Sequence, residues 1–134
     1  MKRIVFGLFL AALLIAWLTA PPAKAGDKED ILRLASKNLK LTLGHSGDML
    51  RESAILAVLD IKATYPDLNM SEVIIPLLHI LRNDRDPNLR ILAALALYEV
   101  GDERALWALR EAVKFDSHRV VRHVCASLYN EAHM

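Results

Sequence analysis

A stretch between Asp84 and Tyr129 repeats itself, and this repeat constrains the fold more than any other feature of the chain. Residues 84–94 align position by position with residues 116–126. In both copies an Asp stands six residues before an Arg, as Asp84 before Arg90 and Asp116 before Arg122. An aliphatic residue precedes each Arg, and two small residues follow it. A period of this length, filled by helix-sized apolar segments, predicts a helical solenoid.

A weaker third copy lies upstream, around Arg51. Arg51 and Ala54 occupy the Arg and small-residue positions, but His45 takes the position of the Asp. The interval from Arg51 to Arg90 is also longer than the interval from Arg90 to Arg122. The chain therefore contains roughly three repeats, the first of them irregular.

Apolar periodicity and capping residues predict about six helices and an all-α fold. Asp86 followed by Pro87 is a strong helix start, and Gly101 followed by Asp102 ends one helix and begins the next. Ser46 or Asp48 is expected to cap the second helix, and Ser71 the third. The predicted helices span residues 31–43, 49–64, 72–82, 87–100, 102–115 and 118–133.

The apolar positions also predict which side chains are buried. The fourth helix is mostly aliphatic and Ala-rich, so it should be buried on more than one side. The expected core positions are Ile31, Leu32, Ala35 and Leu39 in the first helix, and Leu50, Ala54, Ala57, Val58 and Ile61 in the second.

The pattern of Asp, aliphatic-Arg and two small residues in every second helix resembles HEAT-like repeats of the phycobilisome-lyase type, over about residues 49–129. This resemblance implies an α-α superhelix of the HEAT/armadillo kind. Residues 105–109 look like the second helix of such a repeat, with Trp107 where a Pro is usual, whereas Pro76 keeps that Pro. The lyase branch attaches bilins to other proteins, but nothing here beyond the shared repeat supports that chemistry.

The Asp and Arg of each copy predict an electrostatic ladder. We expect the Asp at each turn to pair with the Arg six residues on, which would tie the inter-repeat loop to the following helix. Each exposed pair would contribute about 0–1 kcal/mol. The main stabilisation is expected from aliphatic burial between successive helices.

Residues 1–25 have the order of an export signal. Lys2 and Arg3 precede an apolar run over residues 4–18, followed by Pro21, Pro22 and an Ala-Lys-Ala site ending at Ala25. This order predicts a signal peptide over residues 1–25, cleavage after Ala25, and a mature repeat domain over residues 26–134 that is periplasmic or secreted. An uncleaved N-terminal anchor is the alternative, although the run is shorter than the roughly 20 residues a membrane-spanning helix needs.

Charge and composition argue against several functions. Without Lys2, Arg3 and Lys24 the chain carries a formal charge of about −2, so no basic surplus exists to bind nucleic acid. Cys125 falls on the small packing position of its repeat, which predicts a buried, unreactive thiol. The five histidines show no metal-ligand spacing. No catalytic motif is visible, so we expect a non-enzyme without cofactor or metal.

The candidate binding surface centres on Trp107. In HEAT-like repeats the second helix of each pair lines the concave side, and the resemblance places Trp107 there. Tryptophan beside arginine is the composition of an interface hot spot, although packing of Trp107 into the core is equally open. The residues expected to bind a partner are Arg33, Arg82, Arg104, Trp107 and Arg110.

The sequence thus predicts an exported, non-enzymatic HEAT-like module that binds a protein or peptide, with no membrane contact once the signal is cleaved. The alternative is a self-associating or membrane-tethered structural spacer. The last helix has no following helix and carries several apolar residues, so it is expected to dock a partner or a second copy of the chain. A third hypothesis, an enzyme or metal carrier using Cys125 or the histidines, has the least support.

Overall fold

The computed structural model describes residues 25–45 and 47–134. Within these residues, six α-helices follow one another, with a 3₁₀ turn over Ser71–Val73 ahead of the third. They are α1 (Ala25–His45), α2 (Asp48–Thr64), α3 (Ile74–Asn83), α4 (Pro87–Val100), α5 (Glu103–Phe115) and α6 (Arg119–Glu131). The all-α prediction is confirmed. Apart from Ala25, the predicted signal segment lies outside the described residues.

Two compact units divide within α1, between Leu32 and Arg33. Of the first unit the structure describes only residues 25–32, which form the opening turns of α1. The second unit, residues 33–134, carries the repeats. None of the described helices is long and apolar enough to cross a bilayer.

The helices of the second unit form two layers. Helices α2, α4 and α6 pack side by side in that order, while α3 packs against α5 in the other layer. Helix α3 also pairs with α4, and α5 with α6. Each repeat thus adds one helix to each layer, which is how a helical solenoid buries a continuous core.

Helix α4 is the centre of the core, as its composition predicts. It contacts α2, α3, α5 and α6. Its fully buried residues are mostly small, and small side chains allow neighbouring helices to approach closely. They are Leu89, Ala93, Ala94, Ala96 and Leu97.

The predicted boundaries of α4 and α5 are confirmed by their capping geometry. The side chain of Asp86 accepts a hydrogen bond from the amide of Asn88, and Pro87 is the first helical residue. Gly101 ends α4 in the left-handed region, at φ 72°, where a residue without Cβ is favoured. Asp102 then caps α5 by accepting a hydrogen bond from the amide of Arg104.

Two predicted caps are wrong. Gly47 is the N-cap of α2 and makes no side-chain bond, while the carboxylate of Asp48 pairs with Arg51 instead. Ser71 lies inside the 3₁₀ turn, and its amide donates to the side chain of Asn69 at 2.9 Å. Asn69 therefore organises this loop, because an Asn side chain readily accepts from the backbone two residues on. Ser46 lies outside the described residues.

The buried side of α2 is turned relative to the prediction. Ala54 and Val58 are buried as expected and Ala57 and Ile61 are half-buried, but Leu50 is 58% exposed, and Ile55 is fully buried. The buried residues of α2 are Ala54, Ile55, Val58 and Lys62.

Helix α1 also differs from its predicted pattern. Ile31 is 67% exposed, whereas Leu43, which the pattern did not select, joins the core, and Ser36 is buried. Apolar periodicity indicates that a helix has a buried side. It does not identify which side is buried when apolar residues occur all around the helix.

Candidate functional site

Trp107 lies on the surface of α5 and outside the buried core. Its side chain is 53% exposed. The guanidinium of Arg82, from α3, stands over the indole at 5.1 Å from the ring centroid. A guanidinium at this distance from an aromatic face makes a cation–π contact. The structure therefore brings together two of the five residues predicted to bind a partner.

Arg104 belongs to the same exposed side of α5 but is engaged locally. Its Nε donates to Oδ1 of Asp102 at 2.8 Å and its Nη2 donates to Oδ2 at 3.0 Å. The hydrogen bond from Arg104 lowers the pKa of the Asp102 carboxyl below its ordinary value, and the pKa of Arg104 is raised by the same bond. Arg104 therefore stabilises the start of α5 as well as lying beside Trp107.

Arg110 and Arg33 complete the set of five predicted residues. Arg110 is exposed and follows Trp107 by three residues, so it is a neighbour on the helix surface. Arg33 is exposed on α1.

A shallow pocket opens between α3 and α5 next to this pair. Its volume is about 140 Å³, and Arg82, which covers Trp107, forms part of its wall. Phe115 at its rim is 76% exposed. We call Trp107 and this lining together the α3–α5 groove; the lining consists of Leu81, Arg82, Ala108, Glu111, Ala112, Phe115 and Asp116.

A ladder of ion pairs links the repeats, but not in the predicted way. The Arg six residues after each Asp binds a backbone carbonyl: Nη1 of Arg90 donates to the carbonyl of Asp84 at 2.7 Å, and Nη1 of Arg122 to that of Asp116 at 2.7 Å. The carboxylate of each Asp pairs instead with the Arg of the preceding repeat. The predicted pairing within one copy is therefore wrong.

The best-formed rung joins Arg90 to Asp116. Nε of Arg90 donates to Oδ2 at 2.9 Å and Nη2 donates to Oδ1 at 3.0 Å. The two side chains are only 9% and 7% exposed. A two-pronged pair shielded from water is stronger and more directional than an exposed one. This rung ties α4 to the loop that precedes α6.

The first rung is less regular. Nη1 of Arg51 lies 3.0 Å from Oδ2 of Asp84 but is not aligned as a hydrogen bond, and Arg51 also pairs with Asp48. This rung identifies Arg51 as the ladder residue of the first repeat, although that repeat has His45 at the Asp position. The sequence signal for pairing across repeats is a difference in number. The Arg is present in three copies, whereas the Asp is present only in the second and third.

Cys125 and possible metal ligands were the other candidates for chemistry. Cys125 is fully buried, and burial raises the pKa of its thiol to about 11. A thiol in this state is a poor nucleophile, as predicted from its packing position. No group of three or more His, Cys, Asp or Glu residues is placed to hold a metal ion among the described residues.

Two helical layers joined by an Arg–Asp ladder define a helical repeat protein. A family model described as HEAT repeats matches residues 36–129. The chain belongs to the HEAT repeat family, as its resemblance predicted. No curated protein and no solved structure gives a significant match. HEAT repeats commonly mediate protein–protein interactions and are typically non-enzymatic.

Proposed function

We propose that this protein is a non-enzymatic module that binds a partner protein or peptide in the α3–α5 groove. The observation that carries the proposal is the pairing of Trp107 and Arg82 at the surface, beside a pocket lined by both apolar and charged residues. Tryptophan and arginine are the residues most enriched among those that dominate binding energy.

The lining of the groove suggests the chemistry of the bound segment. Phe115 and the alanines offer apolar contact, while Arg82 offers a cation. A segment with one apolar side chain for the pocket and a carboxylate for Arg82 would match both features. Arg104, Arg110 and Arg33 are then outer contacts, since none of them lines the pocket.

The cellular location of the module is part of the proposal. The order of charge, apolar run and small residues in residues 1–25 supports export, which would release residues 26–134 outside the cytoplasm. The mass of the N-terminus of the protein isolated from its host tests this directly. A chain that retains residues 1–25 would favour the membrane-tethered alternative.

The experiment is affinity capture from the extracytoplasmic fraction with tagged residues 26–134. A variant carrying Trp107→Ala and Arg82→Ala should lose the main captured protein, and Trp107→Ala with Arg104→Ala should weaken capture. Arg119→Ala is the matched control, since Arg119 is exposed on α6 and does not line the pocket. Unchanged capture by the folded groove variants would refute the surface assignment, and recovery of bait copies alone would favour a self-associating spacer.

A further inference from the structure

In the described part of the chain, the last arginine of the Arg–Asp ladder, Arg122, has no carboxylate partner. Arg51 pairs with Asp84 and Arg90 with Asp116. Arg122 holds the same place in α6, and its Nη1 binds the loop carbonyls of Asp116 and Ser117 as Arg90 binds its own loop. Among the described residues Arg122 makes no ion pair. The donors it leaves unused are Nε and Nη2, the two with which Arg90 grips Asp116.

The surface around Arg122 corresponds to a surface that is covered elsewhere in the chain. On α4 the residues Arg90, Ala94 and Leu97 are buried, on the side where the loop before α6 supplies Asp116. At the equivalent positions of the repeat, α6 has Arg122, Ala126 and Tyr129, which are only half-buried. Spacings of four and three residues place them on one side of the helix. We call these three residues the end surface.

The adjoining side of α6 is different in kind. Where α4 has the half-buried apolar residues Ile91, Leu95 and Tyr98, α6 has His123, Ser127 and Asn130, all exposed. A terminal repeat normally has such a polar outer side. The replacement stops short of the end surface, which keeps the Arg and the small residue of the internal repeat and has Tyr129 where that repeat has Leu97.

We propose that the end surface docks a partner protein whose helical hairpin presents an Asp or Glu in its leading loop, and that this carboxylate forms the missing rung with Arg122. The occupant follows from charge complementarity and from the two rungs already formed. A second repeat-like hairpin would cover Ala126 and Tyr129, whose equivalents on α4, Ala94 and Leu97, are buried. This surface lies on α6 and is separate from the α3–α5 groove.

Segments of the chain itself do not fit the rung. Residues 1–24 contain Lys2, Arg3 and Lys24 but no acidic residue. Residues 123–131 continue α6 away from Arg122. A second copy stacked in the same register would bring His45 to the position of the carboxylate.

The test places a photo-cross-linking residue at position 126 of the full-length chain, in the cell that makes it. We expect a cross-linked partner whose adduct maps beside an acidic residue in a loop that precedes a helix. Arg122→Met should reduce the yield at least tenfold, and Arg122→Glu should be rescued by an acidic-to-Arg change at the mapped residue. Circular dichroism establishes that each variant is folded. If Arg122→Met does not fold, Arg122→Lys replaces it, because lysine keeps one donor for the loop carbonyls.

An extended chain supplies the matched control. A second copy of residues 101–134 placed after Ala132 continues the repeat in register, because Ala132 corresponds to Val100 in the alignment of the two copies. The Asp of the added copy should pair with Arg122 and abolish the cross-link, while capture through the α3–α5 groove persists. An adduct indifferent to Arg122, adducts only with other copies of this chain, or no adduct at position 126 would each overturn the proposal.

Discussion

At the scale of single residues, the shielded rung of the ladder makes one arginine far more important to stability than its counterparts. Removing Arg90 leaves the carboxylate of Asp116 buried without its partner. Loss of one member of a buried pair typically costs about 3–5 kcal/mol. Arg122 gives up only two bonds to loop carbonyls in a half-exposed position, which is a loss of about 1–2 kcal/mol.

We therefore expect Arg90→Met to lower the free energy of unfolding more than Arg122→Met does, by a margin of about 2 kcal/mol. Urea denaturation followed by circular dichroism measures both. Equal losses for the two variants would show that the carboxylate of Asp116 contributes nothing beyond the loop bonds.

Cys125 links stability to alkaline pH. Burial raises the pKa of its thiol from 9.0 to about 11. The unfolded chain therefore loses this proton first as the pH rises. The stabilisation is fully present below pH 9.0 and is lost progressively as the pH rises to about 11.

A comparison with Cys125→Ala isolates this effect from other groups that titrate at high pH. The difference in free energy of unfolding between the natural chain and the variant should shrink between pH 9.0 and 11. A thiol reagent should label Cys125 at neutral pH only after unfolding. Rapid labelling of the native protein would contradict the buried position.

At the scale of helices, the start of α5 rests on one side chain with two roles. Asp102 caps the amide of Arg104 and also pairs with its guanidinium. Asp102→Ala removes both interactions and should cost about 1 kcal/mol or slightly more. Asp102→Asn keeps a good N-cap but loses the charge, so it should cost clearly less.

The pH dependence of these variants has a definite sign. Because Arg104 lowers the pKa of the Asp102 carboxyl, its stabilisation is present above the ordinary value of 3.8 and is lost as the pH falls through the lowered pKa. The difference between the natural chain and Asp102→Asn should therefore be largest near neutral pH and vanish in strong acid. A difference that stays constant into strong acid would mean that the ion pair is not its source.

At the scale of the whole molecule, binding and folding are expected to be separable. Trp107 is 53% exposed and its main described contact is with the guanidinium of Arg82. Such a contact contributes about 0.5–1 kcal/mol at an exposed site. Trp107→Ala should therefore leave helicity unchanged and lower the free energy of unfolding by about 1 kcal/mol or less.

Circular dichroism and urea denaturation of Trp107→Ala provide the measurement, with Leu97→Ala as the control for a core position. Leu97 is fully buried, so its truncation should cost about 2–5 kcal/mol. A loss of similar size for Trp107→Ala would mean that the tryptophan belongs to the fold rather than to a binding surface.

The amino-acid sequence by itself determined the class of fold. The match between residues 84–94 and residues 116–126 predicted the repeat, and the local chemistry of Asp86, Pro87, Gly101 and Asp102 located the ends of α4 and α5. The predictions from these features are correct because capping and backbone conformation depend on residues within one turn of each other. The buried thiol of Cys125 followed from its place in the repeat.

Only the tertiary structure decided how the repeats are joined. The carboxylate of Asp116 had an arginine six residues away in its own repeat, yet it pairs with Arg90, which lies 26 residues earlier. The choice depends on which side chain the packed layers bring to the loop, and short-range spacing does not contain that information. The same holds for the sides of α1 and α2 that face the core, and for the meeting of Arg82 with Trp107, which arises because α3 packs against α5.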